Sequence, residues 1–236
     1  MEKCRLDATP IIHLCLVNLE SEAATRALDA WRPTDDETAQ RRPGSVLARA
    51  LLRGMLADLS DAPAERWRIA SAASGAPIAV DQRGGEVPAI SLSHSGPWVA
   101  CAASFVGELG IDIELHKDTR DFVGIADRAF GTGERAATKR CGLARFYAIW
   151  TLREAVSKAT GAGLRMAADA VDRVPDGPFE DSCWSRFDGT DWWLMHSRPS
   201  DELSLAVALH PKKNDVARSP IHVRWWPTAP ASPPCL

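Results

Sequence analysis

Two short stretches of this chain carry residue types that could manage a phosphate held on a divalent cation. In Gly110-Ile111-Asp112-Ile113-Glu114, apolar and acidic residues alternate. An extended reading puts Ile111 and Ile113 on one face and Asp112 and Glu114 on the other, roughly 7 Å apart along the strand. In Trp150-Thr151-Leu152-Arg153-Glu154-Ala155-Val156-Ser157-Lys158, a helical reading gathers Tyr147, Trp150, Glu154 and Lys158 on one side. Ile149, Leu152, Val156 and Ala159 cover much of the other, so the polar side is expected to face a site and the apolar side a core. Three carboxylates and an ammonium in one place suit a hard cation bridging phosphate oxygens. Each motif also has a plainer reading: Asp112 and Glu114 as the solvated face of an edge strand, and Glu154 with Lys158 as a surface ion pair at i,i+4. The combination favours chemistry, because Ser91-Leu92-Ser93-His94-Ser95-Gly96 adds hydroxyls and an imidazole in an expected loop. That composition suits phosphate oxygens; a turn-forming serine cluster with an incidental histidine is the alternative.

The elements that must position these groups can be read from the pattern. Ile11 to Leu19 is β-branched enough for a strand, and Ser45 to Leu59 reads as an amphipathic helix with Ser45 as N-cap and Arg49 and Arg53 on one face. Gly75-Ala76-Pro77 breaks the chain, Ile90 to Ser95 leads to a second break at Gly96-Pro97, and Trp98–Phe105 with Leu109–Leu115 reads as a hairpin turning near Gly107. The acid pair then lies on its second strand. A charged segment from His116 to Arg140 precedes a helix from about Leu143 to Thr160, stopped by Gly161 and Gly163. Strand-like runs follow at Asp191–His196 and Leu203–His210. From Pro211 the chain is too rich in proline for regular structure, although Trp225 and Trp226 could pin part of it down.

Composition excludes several classes. A net charge of −3 over 236 residues and a pI near 6.1 lack the clustered basic excess of a nucleic-acid-binding surface. No stretch approaches the ~18 consecutive apolar residues of a membrane span. Six cysteines are scattered without a C-x-x-C pair, and no apolar run follows a basic start, so a reducing cytoplasm is the expected setting. The remaining histidines (His13, His116, His196, His210, His222) show no zinc-like spacing.

In order and spacing these segments resemble the 4′-phosphopantetheinyl transferase superfamily, in its larger type associated with nonribosomal peptide and polyketide synthesis. The family pattern has G-x-P, then a stretch like I-S-H-S-G, then G-I-D-I-E, then W-T-x-K-E-A-x-x-K-x-x-G-x-G-L. This chain supplies Gly75 and Pro77, Leu92 to Gly96, Gly110 to Glu114, and Trp150 to Leu164. An arginine-rich helix through Ala48-Arg49-Ala50-Leu51-Leu52-Arg53 looks like the family's, and Ala206 to Pro211 is a weaker echo.

The resemblance implies transfer of the phosphopantetheine arm of coenzyme A to a serine of an apo acyl or peptidyl carrier protein, releasing adenosine 3′,5′-bisphosphate. It implies Mg²⁺, with Mn²⁺ as a substitute, on Asp112, Glu114 and Glu154. Glu154, or Asp112 through a metal-bound water, would take the serine proton, and Lys158 would neutralise a phosphate oxygen. Ser93 and His94 would meet the phosphates of coenzyme A, and Arg41 or Arg42 its 3′-phosphate. The implied fold is α+β, with two similar subdomains related by a pseudo-twofold and the site in the cleft between them. Residues 1–109 would form the N-terminal subdomain with the coenzyme A contacts. Residues 110–210 would form the C-terminal subdomain with the metal and catalytic motifs, and 211–236 a proline-rich tail. The larger type is usually a monomer. An acidic carrier helix would dock near Lys117, Arg120, Arg128, Arg135, Lys139 and Arg140, although interspersed acids make a solvated loop the alternative there. Two departures stand out: Ala76 replaces the usual lysine of G-x-P, removing one phosphate contact, and Arg153 replaces the lysine before Glu154. A degenerate relative that binds coenzyme A or a carrier without transfer is the competing class, with Ala76 as its support. A metal-dependent phosphohydrolase fits the charges but not the ordered motifs.

Overall fold

Alternation along the strands sets the architecture. In β1 (Ile11–Asn18), Ile12, Leu14 and Leu16 point one way and Cys15 and Val17 the other; in β5 (Trp98–Ser104), Ala100 and Ala102 alternate with Val99, Cys101 and Ala103. A sheet that is apolar on both faces needs two covers. One is the helix layer of α1 (Glu22–Trp31) and α2 (Pro43–Ser60), whose Leu47, Leu51, Leu52 and Met55 pack on Cys15, Val17 and Cys101. The other is a second sheet, whose Leu109, Ile111, Ile113, Leu205, Val207 and Leu209 meet Ile12, Leu14, Ala100 and Ala102.

This computed structural model describes residues 11–32, 41–161, 184–186, 190–212 and 221–226. The first sheet has the order β10-β1-β5-β4, with β4 at Ala89–Ser95 and β10 at His222–Trp225; the second has β6-β9-β8-β7, from Gly107–Leu115, Leu203–Pro211, Trp193–Ser200 and Trp184–Arg186. A separate ribbon pairs β2 (Trp67–Ser71) with β3 (Pro77–Asp81). Helices α3 (Phe122–Ala129), α4 (Thr132–Cys141) and α5 (Leu143–Thr160) complete the second half. The outer face of the second sheet presents Ala206 and Ala208 to α5, which buries Phe146, Ile149, Leu152 and Ala155 there. The fold is therefore mixed, with helix, sheet, sheet and helix in successive layers. No helix among the described residues is long and apolar enough to cross a membrane.

Several expectations change. Trp98–Phe105 and Leu109–Leu115 are not a hairpin: β5 pairs with β4 and β1, whereas β6 pairs with β9 in the other sheet. Two short apolar runs around a glycine look alike whether the chain turns back or crosses over. The real hairpin is β4–β5, turning at Gly96 with φ +56°. Helix α2 starts at Pro43 with Arg42 as its extended N-cap residue, since proline suits the first helical position and restricts the residue before it. Ser45 lies inside the first turn and accepts from Arg49. The charged segment 116–140 holds two helices rather than an open loop. The tail forms β10, parallel to β1, and Trp226 is buried against Trp31 with its Nε1 donating to Asp58 at 2.8 Å, while Trp225 is exposed. Gly161 caps α5 in the left-handed conformation, and Gly163 lies outside the described residues. α1, β2, β3 and β7 have no counterpart in the sequence expectations.

Candidate active site

Gly110 decides how close α5 comes to the acid-bearing strand. A Cβ at this position would lie 1.8 Å from the Ala155 carbonyl oxygen, so only a residue without a side chain lets α5 rest on β6. That contact lays Glu154 and Lys158 over the β6 face that carries Asp112. The side chain of Lys158 crosses to Asp112, with Nζ 2.7 Å from Oδ1, instead of pairing with Glu154 one turn back. Thr151, Arg153 and Ser157 are buried as well, and Tyr147 is completely covered, so α5 is buried on most sides instead of dividing into a polar and an apolar face. The Tyr147 hydroxyl accepts from the Lys117 N–H, and its ring stacks on His116.

The three acids repel one another. Burial, and after it the charge of Asp112, pushes the Glu114 carboxyl above its ordinary range, against the opposing Ser95 hydroxyl, Arg120 and Lys158. The Glu154 carboxyl is raised by burial first, then by Asp112 and Glu114, with Lys158 and Arg153 opposing. Asp112 is 5% exposed. Its Oδ1 accepts from Ser93 and Lys158, while its Oδ2 and the Glu154 Oε1 are buried with no hydrogen-bond partner. As the side chains stand, no three Asp, Glu, His or Cys groups among the described residues converge on one point as ligands. The donor set nonetheless fits a hard cation: anionic oxygens, two of them buried and unbonded, in a cluster that repels itself when empty.

The site opens onto a cleft of 630 Å³ that both halves of the molecule line, with Gly75, Ala76 and Pro77 on one side and Glu154, Ser157 and Lys158 on the other. Ala76, where the family has lysine, thus stands in the cleft wall. The start of α2 adds cationic groups nearby. Arg41 donates to the Ser71 hydroxyl at 3.1 Å, and Ser71 pairs with the cleft residue Pro77; Arg42 is exposed. His94 is exposed and its ring lies against Gly44, in the first turn of the same helix. Ser93 takes a different place from the one expected. It belongs to strand β4, not a loop, and its buried hydroxyl is committed to Asp112 and to the Ile113 N–H. Arg49 and Arg53 are buried scaffolding: Arg53 donates to the carbonyls of Trp31, Arg32 and Trp67, joining α1 and β2 to α2.

Residues outside the motifs also take part. The Arg120 guanidinium lies 5.4 Å from the Tyr147 ring centre and 5.9 Å from that of Trp150, and its Nη1 is 4.0 Å from Glu114 Oε2. Arg153 forms a buried pair with Glu134 of α4 at 2.7 Å and lies over the Phe130 ring. A fixed guanidinium geometry suits such a seat, which accounts for the arginine in place of the family's lysine. In the basic segment, Lys139 pairs with Asp127 and Arg128 donates to the Gly124 carbonyl. Apart from the Arg128–Gly124 contact, one turn apart on α3, none of this is legible in the sequence, because the partners come from separate elements.

Residues 108–208 match the model of the 4′-phosphopantetheinyl transferase superfamily. Curated relatives extend the likeness. The Nostoc sp. 4′-phosphopantetheinyl transferase HetI is 26% identical over 175 residues, covering 72% of each chain. A Synechocystis sp. protein provisionally named as such a transferase, slr0495, is 28% identical over 188 residues, 77% of this chain and 72% of its own. The 4′-phosphopantetheinyl transferase AcpT of Salmonella typhi is 31% identical over 97 residues, 39% of this chain and 50% of its own.

Proposed function

We propose that this chain is a Mg²⁺-dependent 4′-phosphopantetheinyl transferase, which moves the phosphopantetheine arm of coenzyme A to a carrier-protein serine. The observation that carries this reading is the pair of buried, unpartnered oxygens, Asp112 Oδ2 and Glu154 Oε1, beside the Lys158 ammonium at one wall of the cleft. The names of the relatives and the order of the motifs agree with it. Asp112, Glu114 and Glu154 would hold the cation, which when bound spreads the charge of the pyrophosphate over a Lewis acid.

The chain's own groups supply the rest. Glu154, whose carboxyl is raised above its ordinary range, takes the proton as the serine oxygen bonds to the β-phosphorus. The phosphoanhydride bond to the nucleotide breaks, and its electron pair leaves with adenosine 3′,5′-bisphosphate. Lys158 neutralises a phosphate oxygen as charge develops. Coenzyme A lies along the cleft past Gly75 and Pro77, with His94 on the phosphates and Arg41, the less exposed of the two candidate arginines, at the 3′-phosphate. Two sheets, each carrying an eighteen-residue helix, support two similar halves with the site between them. A monomer in the cytoplasm, acting on acyl or peptidyl carriers, completes the reading.

Intact-protein mass spectrometry of an apo carrier incubated with this chain, coenzyme A and Mg²⁺ tests it. A gain of one phosphopantetheine mass, absent with Glu154→Gln, is expected. No gain on several acyl and peptidyl carriers, with coenzyme A still bound, would make the chain a binding protein, the outcome that Ala76 in the cleft wall favours.

A further inference from the structure

We propose that Ser93 and Ser95 of β4 are positioning residues, which orient Asp112 and Glu114 toward the divalent cation; this rests on the reading that those acids bind one. Strands β4 and β6 are edges of different sheets and do not pair through their backbones. The row of serines on β4 does the joining. Ser91, Ser93 and Ser95 share one face of the strand, and each hydroxyl accepts a backbone N–H from twenty residues further on: Ile111 at 3.0 Å, Ile113 at 3.3 Å and Leu115 at 3.0 Å. Edge N–H groups that would otherwise be buried unbonded are satisfied in this way.

A serine hydroxyl that accepts a hydrogen bond still has its own proton to donate. Ser93 gives it to Asp112 Oδ1 at 2.7 Å, and Ser95 gives it to Glu114 Oε2 at 3.0 Å, each to the residue nineteen positions on. The residue in the same relation to Ser91 is Gly110, which has no carboxylate. Two rungs of the ladder therefore do something that the first does not: each holds one oxygen of an acid and so fixes the orientation in which the other is presented. Outer partners of this kind govern how well ligands hold a metal.

That asymmetry supplies the test. Mn²⁺, which shares the preference for hard oxygen ligands, is titrated calorimetrically into the full chain without coenzyme A, for the parent, Ser91→Ala, Ser95→Ala and Ser95→Thr. Ser95→Ala is expected to weaken Mn²⁺ binding about 10- to 100-fold. Ser91→Ala, which removes a rung with no acid behind it, and Ser95→Thr, which keeps the hydroxyl, are expected to stay close to the parent. Ser93→Ala, read through Asp112, repeats the comparison if Ser95→Ala does not fold. Equal weakening in Ser91→Ala and Ser95→Ala, or no weakening in Ser95→Ala, would overturn the proposal while leaving the metal reading intact. A parent chain that binds no Mn²⁺ would overturn both.

Discussion

Gly110 and Ala155 touch through their backbones, so closely that a methyl group on Gly110 would fall 1.8 Å from the Ala155 carbonyl oxygen. Neither partner can retreat, because β6 is buried between β9 and the serine ladder while α5 is packed on β9. Gly110→Ala is expected to cost about 3 kcal/mol of stability and to lower transfer at least ~100-fold by displacing Glu154 and Lys158 from Asp112. Urea denaturation alongside a transfer assay checks both. An unchanged midpoint would mean that helix and strand are not in contact.

Glu154→Gln should separate stability from function. The metal-free protein loses one of three mutually repelling acids, so its Tm is expected to rise by a few degrees, whereas transfer falls by a factor of about 100 or more. Differential scanning calorimetry in chelator decides. A lower Tm would show that the Glu154 charge is well solvated or paired.

The raised carboxyls of Glu114 and Glu154 give a signed pH dependence. A carboxyl whose folded pKa lies above its ordinary 4.5 adds stability that is fully present below that value and is lost as pH rises through the raised pKa. His13 and His116, pushed below 6.5 chiefly by burial, act in the opposite sense, stabilising above 6.5 and losing that contribution as pH falls. Comparing metal-free parent with the Glu114→Gln, Glu154→Gln double variant cancels the histidines. The variant's advantage in Tm should grow as pH rises above 4.5, and divalent-cation affinity of the parent should increase over the same range as protons are displaced. A difference independent of pH would rule out titration of these acids as its source.

Trp226→Ala is expected to destabilise the chain by about 3 kcal/mol, by emptying the space beside Trp31 and freeing Asp58 from its indole partner. The acid cluster is built on the other sheet, so the transfer rate well below the Tm should match the parent. A guanidinium midpoint and a rate measured on the same sample test the two halves of this statement.

Asp112, Glu114, Glu154 and Lys158 were legible as a group because strand and helix periodicity each put their residues on one face, and the limits of α5 followed from its apolar run and Gly161. Ser93 was legible as a member of the site but not in its role, since the sequence around it reads equally as a polar loop and as an edge strand whose partner is a side-chain ladder. The crossing from β5 to β6 was hidden for a related reason: local patterning does not reveal which sheet a strand joins. Arg120, which reaches from the segment after β6 to Glu114 and α5, and the Arg153–Glu134 pair between α5 and α4 depend on contacts between separate elements, for which no spacing rule exists. Strand β10 was masked by the prolines on either side of it, and the two tryptophans were the only signal there.

The pairing of β10 with β1 has a consequence for how the chain is made. Residues 221–226 follow the whole second sheet in the order of synthesis, yet they cover the outer edge of the first. A ribosome that has released β1, β4 and β5 has released three strands of a four-stranded sheet, with the bed for Trp226 against Trp31 still open. The first half thus waits for the last-made of the described strands, and because closing so long a loop is slow, the edge of β1 stays available to other chains in the interval.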